Sequence, residues 1–380
     1  MSSKDFVSIT PEGNMTSYYF YNTVLKKMHD YILQEDPPQL LLDFSATKGI
    51  DALVLPNLLC LGYWVLKYSG RPVKIFVPSS PEFVPIRTFL ANAGFADLAQ
   101  KFGLFDFEAD VTGGLSSRVY KSSLNTTQVF QSVYKTDDAV DVEKTKIAIW
   151  NQLNSSLVPF IHQFLLYSDD KSISRNLEQI SEAIVVFCRE LVENALLHGW
   201  SFCFLTMQYT SNYRKQIKIS VSDCGCGFLN SIERDRKRSK QILCMKSNGI
   251  PGVERLMHEC PPLQSDSEIR RYASMPVICT ELEGIVYGLL SRFNKPYGLY
   301  NVYQIVSKMG GTIRIHSNDT QLVLSERLQS LLTYCHSPEK LLQILENKQE
   351  YTANVRRGLK FKGTHIELEI MLEKAEEENL

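Results

Sequence analysis

The chain has 380 residues, 44% of them hydrophobic and 22% charged, with a formal net charge of -1. That length predicts two or three domains of an ordinary soluble globular protein. The near-neutral balance leaves no global pull toward nucleic acid or anionic membranes, so neither is expected as a partner. The opening segment MSSKDFVSIT lacks the apolar core of a signal peptide, which makes the cytoplasm the expected location. QLLLDF, Gln39 to Phe44, has the length and composition of a strand. DALVLPNLLCLGYWVLKYSG reads as a helix with Asp51 as its candidate N-cap and Gly70 as its stop, and Pro56 falls early enough to be tolerated. The longest apolar run, Ala52 to Leu66, is interrupted by Pro56 and Asn57 and is too short to span a bilayer. RPVKIFVP is the next strand, and SPEFVPIRTFLANAGF the next helix, opened by Ser80 and Pro81 and closed by Gly94. Strand–helix–strand–helix with short loops over residues 1–110 predicts a small α/β layer fold.

From residue 111 to about 143 the chain is rich in Ser, Thr, Asp and Gly with little periodicity, and residues 111–149 are expected to be a connecting segment. A helical pattern returns from Val142 to Leu166, with Pro159 as a kink or break. FCFLTMQY and QIKISVSD are adjacent strands separated by the turn-like TSNYRK. YNVYQIVSKMGG is a helix stopped by glycine, TIRIHS is a strand, and THIELEIML alternates as a half-buried strand should. The acidic end EKAEEENL reads as a frayed tail. Nine cysteines, an odd number without a repeating spacing, predict reduced thiols and no disulfide framework. Cys224 and Cys226 have no second close pair, which argues against a zinc site.

The chemistry concentrates in two stretches. Glu190, Asn194 and His198 recur at i, i+4 and i+8, so they line one stripe of a helix. The other sides of that helix carry Ile184, Phe187, Leu191, Ala195 and Leu196, which suit a core. Polar groups aligned along a largely buried helix must be satisfied or used. His198 reads either as a packed, hydrogen-bonded residue or as a catalytic one. The second stretch is DCGCGF, directly after the strand IKISVS. Its two glycines allow a sharp turn and close approach to a ligand, and Asp223 offers two acceptor oxygens to a base with an amino group. Alone, D-x-G-x-G also fits a plain turn. The basic run ERDRKRSKQ, Glu233 to Gln241, reads first as a solvated face, with contact to a partner or to nucleotide phosphates as the alternative.

In their order, these stretches, followed by SRFNKPYGLYNV, GGTIRIHS and a final Gly363-Thr364 before the last strand, resemble the GHKL ATPase superfamily. That superfamily includes gyrase-type ATPases, Hsp90, histidine kinases and MutL, and the pattern here resembles its anti-sigma-factor and histidine-kinase-like branch. The resemblance covers roughly residues 150 to 372. It implies that Glu190 is the general base or positions the attacking water, and that Asn194 reaches Mg²⁺ bridged to the phosphates. It implies that Asp223 accepts from the adenine amino group, that Gly225 and Gly227 shape the adenine pocket, and that Thr364 helps hold the carboxylate and a water. Gly298 and Leu299 would open a helix whose N-terminal amides face the phosphates. Pro296 stands where the pattern has a glycine, so the phosphate cradle is altered or is completed by Ser291, Arg292 and Lys295, which read equally as a surface loop.

The N-terminal part, LLLDFS followed by Gly49–Asp51, a helix, VKIFVP and a helix ending NAGF, resembles a STAS-like domain of anti-sigma-factor antagonists over about residues 36 to 96. Those antagonists carry a phosphorylatable serine or threonine after the aspartate, where this chain has Ala52. A constitutive docking or oligomerisation element is therefore expected. Together the resemblances imply a fold class of α/β and α+β. A STAS-like α/β domain (1–110) is followed by a connecting segment (111–149), and then by a GHKL α/β sandwich ATP-binding domain (150–372) with a lid at about 229–291. Residues 373–380 form the tail. They imply a Mg-ATP-binding regulatory protein, an ATPase-type switch acting on a partner protein. A protein-serine kinase and a nucleotide-binding scaffold with negligible turnover are the alternatives, and a homo-oligomer remains open.

Overall fold

Short apolar runs build one sheet of this chain and alternating strands build the other, as parallel and antiparallel pairing respectively favour. A computed structural model describes residues 6–32, 34–107, 123–134, 140–167, 171–199, 202–210, 216–258, 263, 265–290 and 298–371. The N-terminal unit contains β1 (Phe6–Ile9), β2 (Gly13–Met15), α1 (Ser17–Tyr19), a π-helical turn and α2 (Leu25–Ile32), then β3 (Gln39–Asp43) and β4 (Thr47–Ile50). It continues through α3 (Val54–Ser69), β5 (Val73–Phe76), α4 (Val84–Asn92), α5 (Phe95–Lys101) and β6 (Phe105–Phe107). Strands β1, β3, β5 and β6 lie in that order as a four-stranded parallel sheet, and β2 pairs with β4. Gly70 ends α3 in the left-handed region at φ 68°, as a glycine stop should. Asp51 is not the N-cap: α3 starts at Val54 and is capped by Leu53 without a side-chain bond, while Asp51 accepts from the Leu53 amide at 3.1 Å in the turn before it.

The C-terminal unit is a seven-stranded antiparallel sheet in the order β12, β11, β10, β13, β9, β8, β7. Its strands are β7 (Ser123–Phe130), β8 (Cys203–Thr210), β9 (Gln216–Asp223), β10 (Thr312–Ser317), β11 (Thr320–Leu324), β12 (Val355–Arg357) and β13 (Thr364–Met371). The helices are α6 (Val142–Gln152), α7 (Val158–Tyr167), α8 (Lys171–Gly199), α9 (Gly227–Ser247), α10 (Val253–His258) and α11 (Asp266–Ser274). They are followed by α12 (Glu281–Leu290), α13 (Leu299–Lys308), α14 (Glu326–Tyr334) and α15 (Pro338–Asn347). Pro159 falls at the start of α7, after a π-helical turn over Leu153–Leu157 that absorbs the interrupted hydrogen-bond ladder.

One face of this sheet, with Ile217, Ile219, Ile313, Ile315, Leu368 and Ile370, packs under α8, α12 and α13 as the main core. The other face is polar and equally buried. Ser220, Ser222, His316, His365 and Glu367 are each no more than 1% exposed. Helix α3 lies against that face, between the two sheets. Its first half is buried nearly all round, which is what a helix between two layers requires. Asn57 of α3 is fully buried, donates to Tyr21 Oη (3.2 Å) and Glu367 Oε1 (2.8 Å), and accepts from Ser222 Oγ (2.7 Å). Arg314 pairs with Glu367, and Lys218 with Asp51 at 2.6 Å. Burial pushes the His316 imidazole down to about 4 and that of His365 well below the usual range, so both pack as neutral rings. Phe361 stacks on His365 with ring centroids 4.0 Å apart.

Three expectations change. Within the supposed connecting segment, Ser123–Phe130 is an edge strand paired along its length with β8, and α6 begins at Val142. Backbone pairing with β8, plus the Thr127–Thr206 hydroxyl contact, gives a polar segment a strand that composition hides. The span 229–291 is not all lid, because Leu282, Ile285, Val286 and Leu289 of α12 belong to the main core. The basic run is the middle of α9 and only part of it is a solvated face: Lys237 and Lys240 are exposed, whereas Asp235, Arg236 and Arg238 are buried. The tail 373–380 lies outside the described residues. Among the described residues, no helix is long and apolar enough to cross a membrane.

Candidate functional site

A cleft open to solvent lies between α8, the end of β9, the start of α13 and helices α9 and α11. Helix α8 presents its apolar side to the core and turns Asn194 and His198 into the cleft. Glu190, one turn earlier, aims at the start of α13, where its Oε2 accepts from the Gly298 amide at 2.9 Å. Gly298 caps α13 with φ 98°, a conformation that side chains disfavour. A carboxylate against the first amides of a ten-residue helix is favoured by the helix dipole. Leu299 lines the cleft and is 4% exposed.

The floor is built on Asp223, the last residue of β9, which is 3% exposed. Its Oδ1 accepts from the amides of Gly225 (2.7 Å) and Thr364 (3.3 Å), which leaves Oδ2 as the oxygen bound to neither. Burial pushes its carboxyl up to about 7, against the lowering effect of those hydrogen bonds. The two glycines of D-x-G-x-G act differently. Gly225 supplies its amide, whereas Gly227 sits at φ 76° with no room for a side chain, since a Cβ there would lie 2.1 Å from Asn318 Nδ2. Gly363 is tighter still, with φ 108° and space for a Cβ only 1.9 Å from the Asp223 carbonyl.

Asn318 holds these loops together. Itself at φ 47°, it donates to the Cys226 carbonyl at 2.9 Å and to Glu281, and accepts from the Gly363 amide at 3.2 Å. Glu281, 7% exposed, also accepts from Ser317 Oγ (2.8 Å) and the Leu229 amide (3.2 Å). Helix α9 can start this close to α12 because Gly284 and Gly288 leave space. A Cβ at either would lie 2.7 Å or less from Leu229 or Phe228.

The buried charges of α9 are spent on internal pairing. Asp235 is 1% exposed and faces His198 Nδ1 (3.5 Å), Arg234 Nε (3.0 Å) and Arg238 Nη2 (3.4 Å). Burial pushes its carboxyl up, and the His198 and Arg234 contacts more than offset that, holding it below the usual range. Arg236 pairs with Glu233 at 2.8 Å. Arg234 also reaches the His198 carbonyl (3.3 Å) and Cys226 Sγ (3.6 Å), tying α9 to α8 and to the glycine loop. From α11, Arg271, Tyr272 and Met275 close one side of the cleft.

The fold thus gathers Glu190, Asn194, Asp223, Gly225, Gly227, Gly298, Leu299 and Thr364 around one cleft. Ser291, Arg292 and Lys295, with Pro296, lie outside the described residues. Sequence reading missed Asn318, Glu281 and Asp235. The pair Gly284 and Gly288, spaced i, i+4, was the available signal for the close approach of α9 and α12. Asn318-Asp319 after TIRIHS was a turn signal for the positive-φ residue. Among the described residues, no group of three or more His, Cys, Asp or Glu side chains is gathered to hold a metal. No protein-family model, no curated protein and no solved structure matches this chain.

Proposed function

We propose that the cleft binds Mg-ATP, that the C-terminal unit is a GHKL-type domain carrying a STAS-like unit on its far face, and that the protein is a nucleotide-controlled switch acting on a partner protein. The observation that carries this reading is Asp223. A carboxylate buried at a cleft floor, with one oxygen held by two backbone amides and the Thr364 hydroxyl bonding the same group, keeps acceptor capacity for an exocyclic amino group. The apolar walls contributed by Leu191, Val221, Ile232 and Ile366 suit a flat heteroaromatic base. The start of α13 suits an anion. Magnesium is held in such sites mainly by substrate phosphates and few protein oxygens. A single amide oxygen, that of Asn194 in the cleft, fits that requirement, and the ion would neutralise phosphate charge.

Glu190 is the candidate base, yet its carboxylate holds the Gly298 amide. A phosphate arriving at that amide competes with Glu190 for it, so that the Oε2 atom exchanges the Gly298 amide for the attacking water. Turnover is thereby tied to occupancy. Kinase action on the chain's own STAS-like unit is disfavoured, because Asp51 and Ala52 pack against the polar sheet face through Lys218, opposite the cleft. Isothermal titration with a nonhydrolysable ATP analogue and Mg²⁺ tests the reading. Binding is expected, with discrimination against guanine nucleotides, and Asp223→Asn abolishes it by turning an acceptor into a donor. Unchanged affinity in the folded variant removes Asp223 from the base site.

A further inference from the structure

The His198–Asp235 contact has no role in base recognition, yet it sets a cleft-lining side chain against an almost fully buried carboxylate. Resting on the nucleotide reading above, we propose that His198 binds an oxygen of the ribose–triphosphate part of the ligand, and that Asp235 is the positioning residue that aims it. With Nδ1 turned to Asp235 Oδ2, Nε2 is the ring nitrogen left to meet a bound molecule. Asn194 and His198 are the polar side chains that α8 gives the cleft, one helical turn apart. Asp223 takes the base at the β9 end, so the sugar and phosphates run along this polar stripe toward Gly298. Asp235 cannot swing away, because Arg234 and Arg238 both bond its Oδ1. Arg234 in turn grips the His198 carbonyl. One helix therefore holds His198 at its ring through Asp235 and at its backbone through Arg234.

A plain tie between α8 and α9 would show the same distances, so the test reads ligand chemistry and not stability. Adenine, adenosine and ATP with Mg²⁺ are titrated into the full chain, into His198→Leu, into Asp235→Asn and into the double variant. Each single variant is expected to lose about tenfold in ATP affinity, the scale of one hydrogen bond to a charged group. Adenine affinity stays unchanged, and the double variant is no weaker than either single one. A matching loss for adenosine assigns the oxygen to the ribose, and a loss confined to ATP assigns it to phosphate. Equal losses for adenine, additive losses in the double variant, or no loss for any ligand overturn the proposal while leaving the Asp223 site standing. If the wild-type chain binds none of the three ligands, the nucleotide reading itself fails and takes this proposal with it. Should Asp235→Asn not fold, His198→Leu gives the same ligand comparison.

Discussion

Replacing Asp223 with asparagine should stabilise the ligand-free protein, and the gain should depend on pH. Burial moves this carboxyl from 3.8 in the unfolded chain to about 7 in the folded one. Between those values the folded protein keeps a proton that the unfolded chain has released. A raised folded-state value gives stability that is full below about pH 4 and is lost as pH rises through 7. The loss runs at about 1.4 kcal/mol per pH unit and levels off near 4 kcal/mol above pH 7. Asparagine keeps an oxygen for the Gly225 and Thr364 amides and carries no charge, so it escapes this loss. Urea unfolding of both proteins at pH 5 and pH 8, without nucleotide, measures the effect. The stability of the variant relative to wild type should increase by about 3 kcal/mol between the two pH values. A difference that stays constant with pH would refute the reasoning, because the carboxylate would then not be the desolvated group the fold makes it.

Other perturbations test neighbouring parts of the site. Glu190→Gln should cut phosphoryl transfer by about 10²- to 10⁴-fold without weakening nucleotide affinity, measured as kcat against Kd; normal turnover would place the base elsewhere. Gly363→Ala should destabilise the protein by roughly 3 kcal/mol or more in thermal or urea unfolding, since positive φ and overlap with the Asp223 carbonyl act together; a silent variant would show that the loop is not tightly held. Limited proteolysis should cut residues 248–258 and be slowed by Mg-ATP, because the satellite core of α9, α10 and α11 is small and Ile250 is 46% exposed; cleavage unaffected by nucleotide would count against a closing cover.

Periodicity found the central strands of the C-terminal sheet, and QIKISVSD and TIRIHS begin and end as β9 and β10 do. The spacing of Glu190, Asn194 and His198 placed three residues on one stripe because helix geometry is local. What local pattern could not disclose was tertiary. Alternation in β9 and β13 marks one face as polar, but it is silent on what covers that face, and here α3 does. Asn57, inside an apolar run, looked like an interruption and is the hub of the buried network. The charges of α9 resemble a solvated run because sequence separates partners, such as His198 and Asp235, that folding brings together. Strand β7 depends on its neighbour β8 for its hydrogen bonds, and a Ser- and Thr-rich segment announces none of this.

The sheet face beneath α3 carries serines, histidines and a charged pair where a permanent core would carry aliphatic side chains. Such a face loses little by meeting water, since Ser222, Arg314 and Glu367 would exchange protein partners for solvent ones and the buried Ser220 hydroxyl, which has no hydrogen-bond partner, would gain one. Its apolar share comes from Phe204 of β8, and Cys224 and Phe361 from the flanking loops join the same α3 core. Two layers joined in this way part at lower cost than two halves of an oily interior. The seam between the units is thus a mixed joint, polar where Asn57 meets the sheet and aromatic where Phe102 and Trp64 meet Phe204 and Phe361, and its geometry is fixed as much by directional hydrogen bonds as by burial.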